Sequence, residues 1–206
     1  MLLRDSLKEQ EINNMETRQQ EVDRFRKNLG PTTIEEFIKT IGPIALEVAR
    51  NRGYGNIQVW TCITQACVES AYGTSSLMKK ANAFFGIKAT ASWIKNAKYG
   101  GKVFRAKTRE CYDGKTLTSI TDCFRAYDSM IDSVEDYFDL LELRRYCKSL
   151  EVTTSVRDCI KIIKDGGYAT SPTYVETIVD AFMRDKNLIT SYRIPTMRCP
   201  YCGREW

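Results

Sequence analysis

One stretch of the chain, residues 98–127, changes to strand-like runs, whereas the segments before and after it have helical patterns. Its two runs flank Asp113-Gly114, and an Asp-Gly pair between strands is a strong hairpin signal. One hairpin between helices predicts an α+β fold, mainly α, in which a small β-hairpin lobe is inserted in a helical body. The predicted helices span residues 34–53, 56–73, 130–147, 154–165 and about 173–186.

The chain is predicted to consist of three regions. Residues 2–28 are rich in Glu, Gln, Arg, Asn and Lys and contain no Gly or Pro, which favours an exposed helix. Gly30-Pro31 would end this helix, and Thr32 or Thr33 would cap the next one. A second pair, Gly42-Pro43, predicts a hinge between two helical pieces. The regions are an N-terminal polar helix (1–30), a folded domain (31–189) and a C-terminal tail (190–206).

Composition excludes some classes of protein. The 206 residues are 43% hydrophobic, which is enough for a core, and no apolar run approaches the ~20 residues that span a bilayer, so no membrane insertion is expected. The N-terminus has two leucines followed by charges, so it lacks a signal-peptide core. The net charge of +5 weakly suits an anionic partner such as a cell wall or nucleic acid. No block of five or six basic residues marks a nucleic-acid arm, so we expect no nucleic-acid partner.

Histidine is absent, which excludes Ser-His-Asp and Cys-His catalysis and histidine-ligated metal sites. Six of the eight cysteines are scattered singly and are predicted as buried thiols. Cys199 and Cys202, in "RCPYCGREW", have the Cys-Pro-x-Cys-Gly form of a zinc knuckle. A structural zinc site needs four ligands, so this pair is half of a site completed by a second subunit, a redox-active pair, or a vestigial tail.

The segment "ACVESAYGTSSLMKKANAFFGIKA", residues 66–89, places Glu69 at the end of an apolar helical run. Desolvating a carboxylate there costs several kcal/mol. Burial would raise the pKa of Glu69, keep the carboxyl protonated near neutral pH and allow it to donate a proton to a leaving oxygen. This is the chemistry of a glycosidase general acid. The alternative is a solvated glutamate at a helix end.

Four motifs occur in order within one part of the chain, roughly residues 33–186. They are "ESAYG" with "ANAFFGIK" (69–88), "TRECYDGK" (108–115), "FRAYDSMIDSVEDY" (124–137) and "GGYATSPTYVETI" (166–178). Together they closely resemble glycoside hydrolase family 73, the bacterial endo-β-N-acetylglucosaminidases of the lysozyme-like superfamily. The resemblance implies that the folded domain is a lysozyme-like glucosaminidase domain that needs no cofactor for catalysis.

The resemblance also implies roles for individual residues. Glu69 matches the essential general acid of the family, and Glu110 matches a second glutamate on the β lobe that acts as base or activates water. Tyr168 matches a tyrosine near the reacting sugar. The alternatives are a charged residue on a solvated strand for Glu110, and for Tyr168 a packed aromatic whose hydroxyl finds a backbone partner.

Several further residues are candidates for sugar binding. Asn82 is a candidate polar contact, because a short amide between two alanines has little packing purpose. The aromatic residues could present flat faces to N-acetyl sugars or belong to the core. They are Tyr72, Phe84, Phe85, Tyr127 and, in the last motif, Tyr174.

The favoured function is a peptidoglycan hydrolase that cuts after N-acetylglucosamine at the bacterial cell wall, in a phage or mobile-element lysin. One alternative is a muramidase or lytic transglycosylase on the same scaffold, and another is a non-catalytic wall-binding or virion module. Without a signal peptide, we expect delivery by a virion, a secretion machine or holin-type release. The N-terminal helix or the CxxC tail would contact a second copy of the chain or a virion partner.

Overall fold

The computed structural model describes residues 33–96, 98–111, 117–151 and 153–195. At residues 107–111 and 117–120 it describes the backbone only. Within these ranges no helix is long and apolar enough to cross a membrane. The elements in chain order are α1 (Ile34–Asn51), α2 (Asn56–Glu69), α3 (Ser76–Ala81), α4 (Ala91–Asn96), β1 (Lys102–Cys111), β2 (Leu117–Ala126), α5 (Met130–Leu141), α6 (Lys148–Glu151), α7 (Val156–Asp165) and α8 (Tyr174–Ile189). The predicted order of helices, one hairpin and helices is therefore confirmed.

Helix α1 begins at a capping box, in which the Thr33 hydroxyl accepts from the backbone N–H of Glu36 and the Glu36 carboxylate accepts from Thr33. The helix continues through Gly42 and Pro43 without a break, so the predicted hinge is wrong. Pro43 is exposed, whereas Ile41, Ile44 and the other apolar residues of this helix are buried. Pro43 removes one backbone hydrogen bond from the helix. Burial of the apolar face contributes more to the stability of the helix than this bond would.

Helix α2 is the centre of the core and packs against α1, α7 and α8. Val59, Cys62, Ile63 and Ala66 are completely buried, as expected for a helix that is apolar almost all round. It ends at Glu69, four residues before the predicted end at residue 73, because residues 71–73 turn away with positive φ values. Glu69 lies at the C-terminal end of the helix, as predicted.

The predicted buried thiols are confirmed for three cysteines. Cys62, Cys67 and Cys159 are free and buried. Cys123 and Cys147 are free but partly exposed, so the prediction is wrong for these two. Cys123 lies on the two-stranded sheet and Cys147 in the turns after α5, and neither belongs to the hydrophobic core. The sixth, Cys111, lies outside the described side chains.

The β lobe is an antiparallel hairpin in which Lys102 pairs with Ala126 at one end and Cys111 with Leu117 at the other. The predicted Asp113-Gly114 turn lies outside the described residues. At its base, β2 also contacts the segment that follows α3. Ala89 N–H donates to Cys123 O at 2.8 Å, and Arg125 N–H donates to Ile87 O at 2.9 Å. The base of the lobe is thus joined to the helical body.

A buried polar cluster connects the lobe to α5, and Asp136 is its centre. This carboxylate accepts from the Arg125 guanidinium at 2.8 Å, from the Tyr127 hydroxyl at 2.6 Å and from the Trp93 indole N–H at 3.1 Å. The side chains of Arg125 and Asp136 are only 10% and 3% exposed. Each charge is therefore compensated by the other inside the protein.

Residues after α8 still belong to the folded body. The Trp60 indole N–H donates to Tyr192 O at 2.9 Å, and the Ile194 N–H donates to Asn56 Oδ1 at 2.6 Å. A boundary at residue 189 would remove both bonds, so the folded unit extends at least to Ile194. Residues 1–30 lie outside the described residues, and the polar helix there stays a prediction.

The contact between α1 and Tyr192 predicts that Gly42→Ala changes the stability in opposite directions with and without the Tyr192 ring. A Cβ atom at Gly42 would lie 2.5 Å from the Tyr192 ring. We expect Gly42→Ala to lower the free energy of unfolding by roughly 1–3 kcal/mol through overpacking. In a Tyr192→Ala background the same change should stabilise by roughly 0.5–1 kcal/mol, because alanine is the better helix residue. Urea denaturation of the four proteins tests this, and stabilisation in both backgrounds would contradict the described contact.

Candidate active site

Glu69 is the last residue of α2, and a tight turn follows it at once. Ala71, Tyr72 and Gly73 all have positive φ values, of 49°, 52° and 79°. The buried Ser70 hydroxyl holds the turn, since it donates to Ala66 O at 2.6 Å and accepts from Gly73 N–H at 2.9 Å. Non-glycine residues in this left-handed region cost about 1–2 kcal/mol each. Such strain recurs at functional sites.

The Glu69 carboxyl lies at the end of a chain of hydrogen bonds that comes from the core. The Tyr137 hydroxyl donates to Gln65 Oε1, and Gln65 Nε2 donates to the Tyr174 hydroxyl at 2.8 Å. The Tyr174 hydroxyl then donates to Glu69 Oε1 at 2.6 Å. Gln65 and Glu69 share one face of α2, because they are four residues apart. We call these four residues the Glu69 hydrogen-bond chain.

Burial raises the pKa of Glu69 above its ordinary value, and the hydrogen bond from Tyr174 partly opposes this shift. Burial and the neighbouring Glu69 carboxylate also raise the pKa of Tyr174, so this hydroxyl stays protonated and remains a donor. A carboxyl with a raised pKa at the edge of the core is suited to donate a proton near neutral pH. The predicted environment of Glu69 is thus present.

Tyr168 lies beside this chain. Its ring centroid is 6.1 Å from that of Tyr174, and the Glu69 carboxylate is among the causes that raise the pKa of its hydroxyl, after burial. The Tyr168 hydroxyl, however, donates to Phe85 O at 2.9 Å. Tyr168 is therefore a packed aromatic with a backbone partner, which is the alternative given above, and it lies near Glu69. A catalytic role of Tyr168 stays a prediction.

Three aromatic residues predicted to bind sugar are part of the core. Phe84, Phe85 and Tyr127 are 0%, 2% and 5% exposed. Phe85 stacks on Tyr137 with ring centroids 4.1 Å apart, and Tyr127 belongs to the cluster around Asp136. A ring without an exposed face cannot stack on a sugar, so these three predictions are corrected.

Two further candidates have structural contacts that the sequence did not reveal. Asn82 is buried with φ of 50° at the end of α3, and its Nδ2 donates to Tyr127 O and Asp128 O at 2.9 and 3.2 Å. The argument that this amide has little packing purpose is therefore wrong. Tyr72 is half-buried, and its hydroxyl donates to Asp185 on α8 at 2.9 Å. Sugar contact by Tyr72 stays a prediction.

Tyr174, predicted as a sugar contact, is instead the hydrogen-bond partner of the acid, and it begins α8. The sequence reasoning missed Gln65 and Tyr137. For Gln65 a signal was present, because it is a polar residue in an apolar helix one turn before Glu69. Tyr137 is far away in sequence, and only the fold brings it to Gln65.

Two predictions cannot be placed. Glu110 pairs with Thr118 near the outer end of the hairpin, and its side chain lies outside the described ones. Cys199 and Cys202 also lie outside the described residues. In the part of the chain that is described, no group of three or more Cys, Asp and Glu residues could hold a metal ion.

Known proteins with similar sequences include peptidoglycan hydrolases and an exo-glucosaminidase. The peptidoglycan hydrolase FlgJ of Vibrio parahaemolyticus is 30% identical over 149 residues, which are 70% of this chain and 45% of that protein. The exo-glucosaminidase LytG of Bacillus subtilis is 31% identical over 122 residues, or 56% of this chain and 40% of that protein. The chain thus spans less than half the length of the curated relatives that it matches.

Solved structures share the fold. The catalytic domain of the autolysin Auto from Listeria monocytogenes has a TM-score of 0.60 and 27% identity, covering 84% of this chain and 96% of that one. A mutant of a peptidoglycan hydrolase from Sphingomonas sp. A1 has a TM-score of 0.61 and 27% identity, covering 77% of this chain and 97% of that one. The predicted lysozyme-like fold with a small β lobe is confirmed by these neighbours.

The family assignment follows from a match over most of the folded domain. The family model for mannosyl-glycoprotein endo-beta-N-acetylglucosaminidase matches residues 42–187. The matched range includes the Glu69 hydrogen-bond chain and the whole β lobe, and it confirms the resemblance found in the motifs. The chain therefore belongs to the glucosaminidase family.

Proposed function

We propose that this chain is a peptidoglycan hydrolase that cleaves glycan strands after N-acetylglucosamine, with Glu69 as the general acid. The observation that carries the proposal is the Glu69 carboxyl itself, which ends a buried helix, has a raised pKa and is held on one oxygen by Tyr174. The family match supports the substrate, as does the similarity to the peptidoglycan hydrolase FlgJ, the exo-glucosaminidase LytG and the Listeria autolysin.

The proposed reaction starts from the protonated Glu69. The acid donates its proton to the glycosidic oxygen as the bond to the anomeric carbon breaks, and positive charge develops on the sugar ring. A water molecule attacks the anomeric carbon and loses a proton to a base. We assign this proton acceptor to Glu110, because the family resemblance gives that role to this glutamate. The β lobe that carries Glu110 is joined to the helical body by the hydrogen bonds of Ala89 and Arg125.

We expect Glu110→Gln to lower kcat by roughly 10²-fold, the lower end of the range for acid–base catalysis, and to lower it less than Glu69→Gln does. The amide cannot accept the proton of the attacking water. Steady-state kinetics on soluble wall fragments measure the effect. Thr118→Ala is the matched control. Thr118 is the cross-strand partner of Glu110, so this substitution changes the same position of the hairpin without removing a carboxylate. If Glu110→Gln changes KM alone, Glu110 binds substrate and the acid has another partner.

Analysis of the products tests the proposed function. Purified peptidoglycan is digested, and the soluble fragments are reduced and identified by mass spectrometry. N-acetylglucosamine at the new reducing ends supports the proposal. Muramic acid at those ends would instead indicate a muramidase, and anhydromuramic acid a lytic transglycosylase. Binding to the wall without any soluble fragments would indicate a non-catalytic wall-binding module. Fragment length separates cleavage within the strand from release of terminal sugars.

The site of action follows from the proposed substrate, which is the bacterial cell wall. A phage or mobile-element origin, with delivery by a virion, a secretion machine or holin-type release, stays a prediction. So does contact with a second copy or a virion partner. The predicted N-terminal helix (1–30) and the two cysteines of the tail (190–206) lie outside the described residues.

A further inference from the structure

We propose that Gln65 is a positioning residue that fixes the direction of the hydrogen bond between Tyr174 and Glu69. It thereby decides which carboxyl oxygen holds the proton that the acid donates. This inference rests on the proposed role of Glu69 as general acid.

The direction is determined at the buried end of the chain, by Tyr137. This residue is completely buried, and Gln65 is the one hydrogen-bond partner of its hydroxyl in the part of the chain that the structure describes. If the Gln65 amide were turned around, its NH₂ group would face Tyr137, and the Tyr137 hydroxyl proton would have no acceptor. A buried donor without an acceptor is costly. Tyr137 therefore keeps Gln65 Oε1 on its own side and turns Gln65 Nε2 toward Tyr174.

The amide then determines the orientation of the Tyr174 hydroxyl. A phenol hydroxyl has one proton, and the Tyr174 oxygen already accepts from Gln65 Nε2 at 2.8 Å. Its own proton is directed at Glu69 Oε1, 2.6 Å away. A carboxyl proton on Oε1 would face the hydroxyl proton of Tyr174. The protonated acid must therefore hold its proton on Oε2, the oxygen that Tyr174 leaves free.

Loss of the Gln65 amide would allow the opposite arrangement. In Gln65→Met the N–H donor is gone, and the thioether sulfur is a weak acceptor. The Tyr174 hydroxyl can then turn its proton away from Glu69 toward this sulfur and accept a hydrogen bond from the protonated carboxyl. The proton would then be held between Glu69 and Tyr174 and would be withdrawn from the leaving oxygen. This arrangement also favours the neutral carboxyl, whereas the present bond favours the charged one.

We expect Gln65→Met to raise the pKa of Glu69 and to lower kcat about 10-fold with KM unchanged, the change that loss of one hydrogen bond typically produces. Methionine keeps the length and apolar volume of the side chain but neither donates nor accepts in the same way. NMR of protein labelled at glutamate carboxyl carbons measures the pKa of Glu69 without reference to activity. An unchanged pKa in this variant overturns the inference.

A double-mutant cycle with Tyr174→Phe separates positioning from a merely structural role. If Gln65 acts through the Tyr174 hydroxyl, Gln65→Met has no further effect on the Glu69 pKa or on kcat once that hydroxyl is gone. The same shift in both backgrounds would mean that Gln65 acts by another route, and it would overturn the inference. Tyr137→Phe removes the hydroxyl that orients the amide and should also raise the pKa of Glu69. This variant replaces Gln65→Met in the test if Gln65→Met does not fold.

Gln58→Met is the matched control. Gln58 is also a buried glutamine on α2, and its amide donates to Ser149 O at 2.9 Å and to Thr153 Oγ1 at 3.1 Å. It precedes Glu69 by about 16 Å along the helix axis. We expect this variant to lose stability and to leave the Glu69 pKa unchanged. If the cycle behaves as expected but the wild-type protein releases no wall fragments, the proposed function fails and the hydrogen-bond direction stands.

Discussion

Replacing Glu69 by glutamine is expected to lower kcat on purified peptidoglycan by roughly 10²–10⁴-fold, the loss typical for a positioned general acid. The amide has the shape of the carboxyl and can still accept the hydrogen bond from Tyr174, but it has no acidic proton. The loss should be visible in a turbidity assay of cell-wall lysis, with an unchanged circular dichroism spectrum. Glu176→Gln is the control, because Glu176 is exposed on α8 two residues after Tyr174. Activity within threefold of wild type in the Glu69 variant would contradict the assignment.

The same variant has a stability signature with a definite sign. The pKa of Glu69 is higher in the folded than in the unfolded chain, so the folded state binds this proton more tightly. Its contribution to stability is therefore present below the ordinary glutamate pKa and is lost as the pH rises through the raised value. Glu69→Gln lacks this loss. As the pH rises through that range, the free energy of unfolding of the variant should increase relative to that of the wild type. Parallel plots of the two free energies against pH would contradict the raised pKa.

The largest expected effect on stability comes from the base of the β lobe. We expect Asp136→Leu to lower the free energy of unfolding by about 3–5 kcal/mol, because it leaves the Arg125 guanidinium buried without its counter-charge. Tyr127 and Trp93 lose their acceptor at the same time. Since a domain of this kind is stable by about 5–15 kcal/mol, this is a large share of the total.

The control for this prediction is an exposed ion pair. Asp165→Leu removes the partner of Lys161 on α7, where both side chains are more than half exposed, and should leave the stability nearly unchanged. Adding Arg125→Met to Asp136→Leu should recover part of the loss, because no unpaired charge remains. Urea denaturation of the four proteins is the measurement. A loss for Asp136→Leu no larger than that for Asp165→Leu would show that the buried pair contributes little.

Local sequence patterns predicted the order of the elements and the position of Glu69 on α2. The apolar run predicts a buried helix with Glu69 near its C-terminal end, and the Asp-Gly pair predicts a hairpin with β1 and β2 on either side. Both signals depend on residues close together in sequence. The helix break at Gly42-Pro43 failed as a prediction because packing of the apolar face of α1 outweighs the local preference of proline.

The wrong predictions depend on contacts between distant residues. The sequence does not reveal the hydrogen bonds of the Asn82 amide, because the acceptors Tyr127 O and Asp128 O follow the hairpin and are 45 and 46 residues away in sequence. Phe84 and Phe85 follow a short helix and could have faced a groove, yet the chain turns inward there and Tyr137 covers Phe85. No periodicity reports such contacts, because each requires the folded arrangement of separate elements.

The most direct test of the central claim is a digest of purified peptidoglycan in water labelled with heavy oxygen. If Glu69 drives hydrolysis after N-acetylglucosamine, each new reducing-end N-acetylglucosamine carries one heavy oxygen atom, and the Glu69→Gln protein produces almost none. Unlabelled fragments incubated in the same water correct for exchange. Products that end in unlabelled anhydromuramic acid, or equal yields from wild type and Glu69→Gln, would contradict the account.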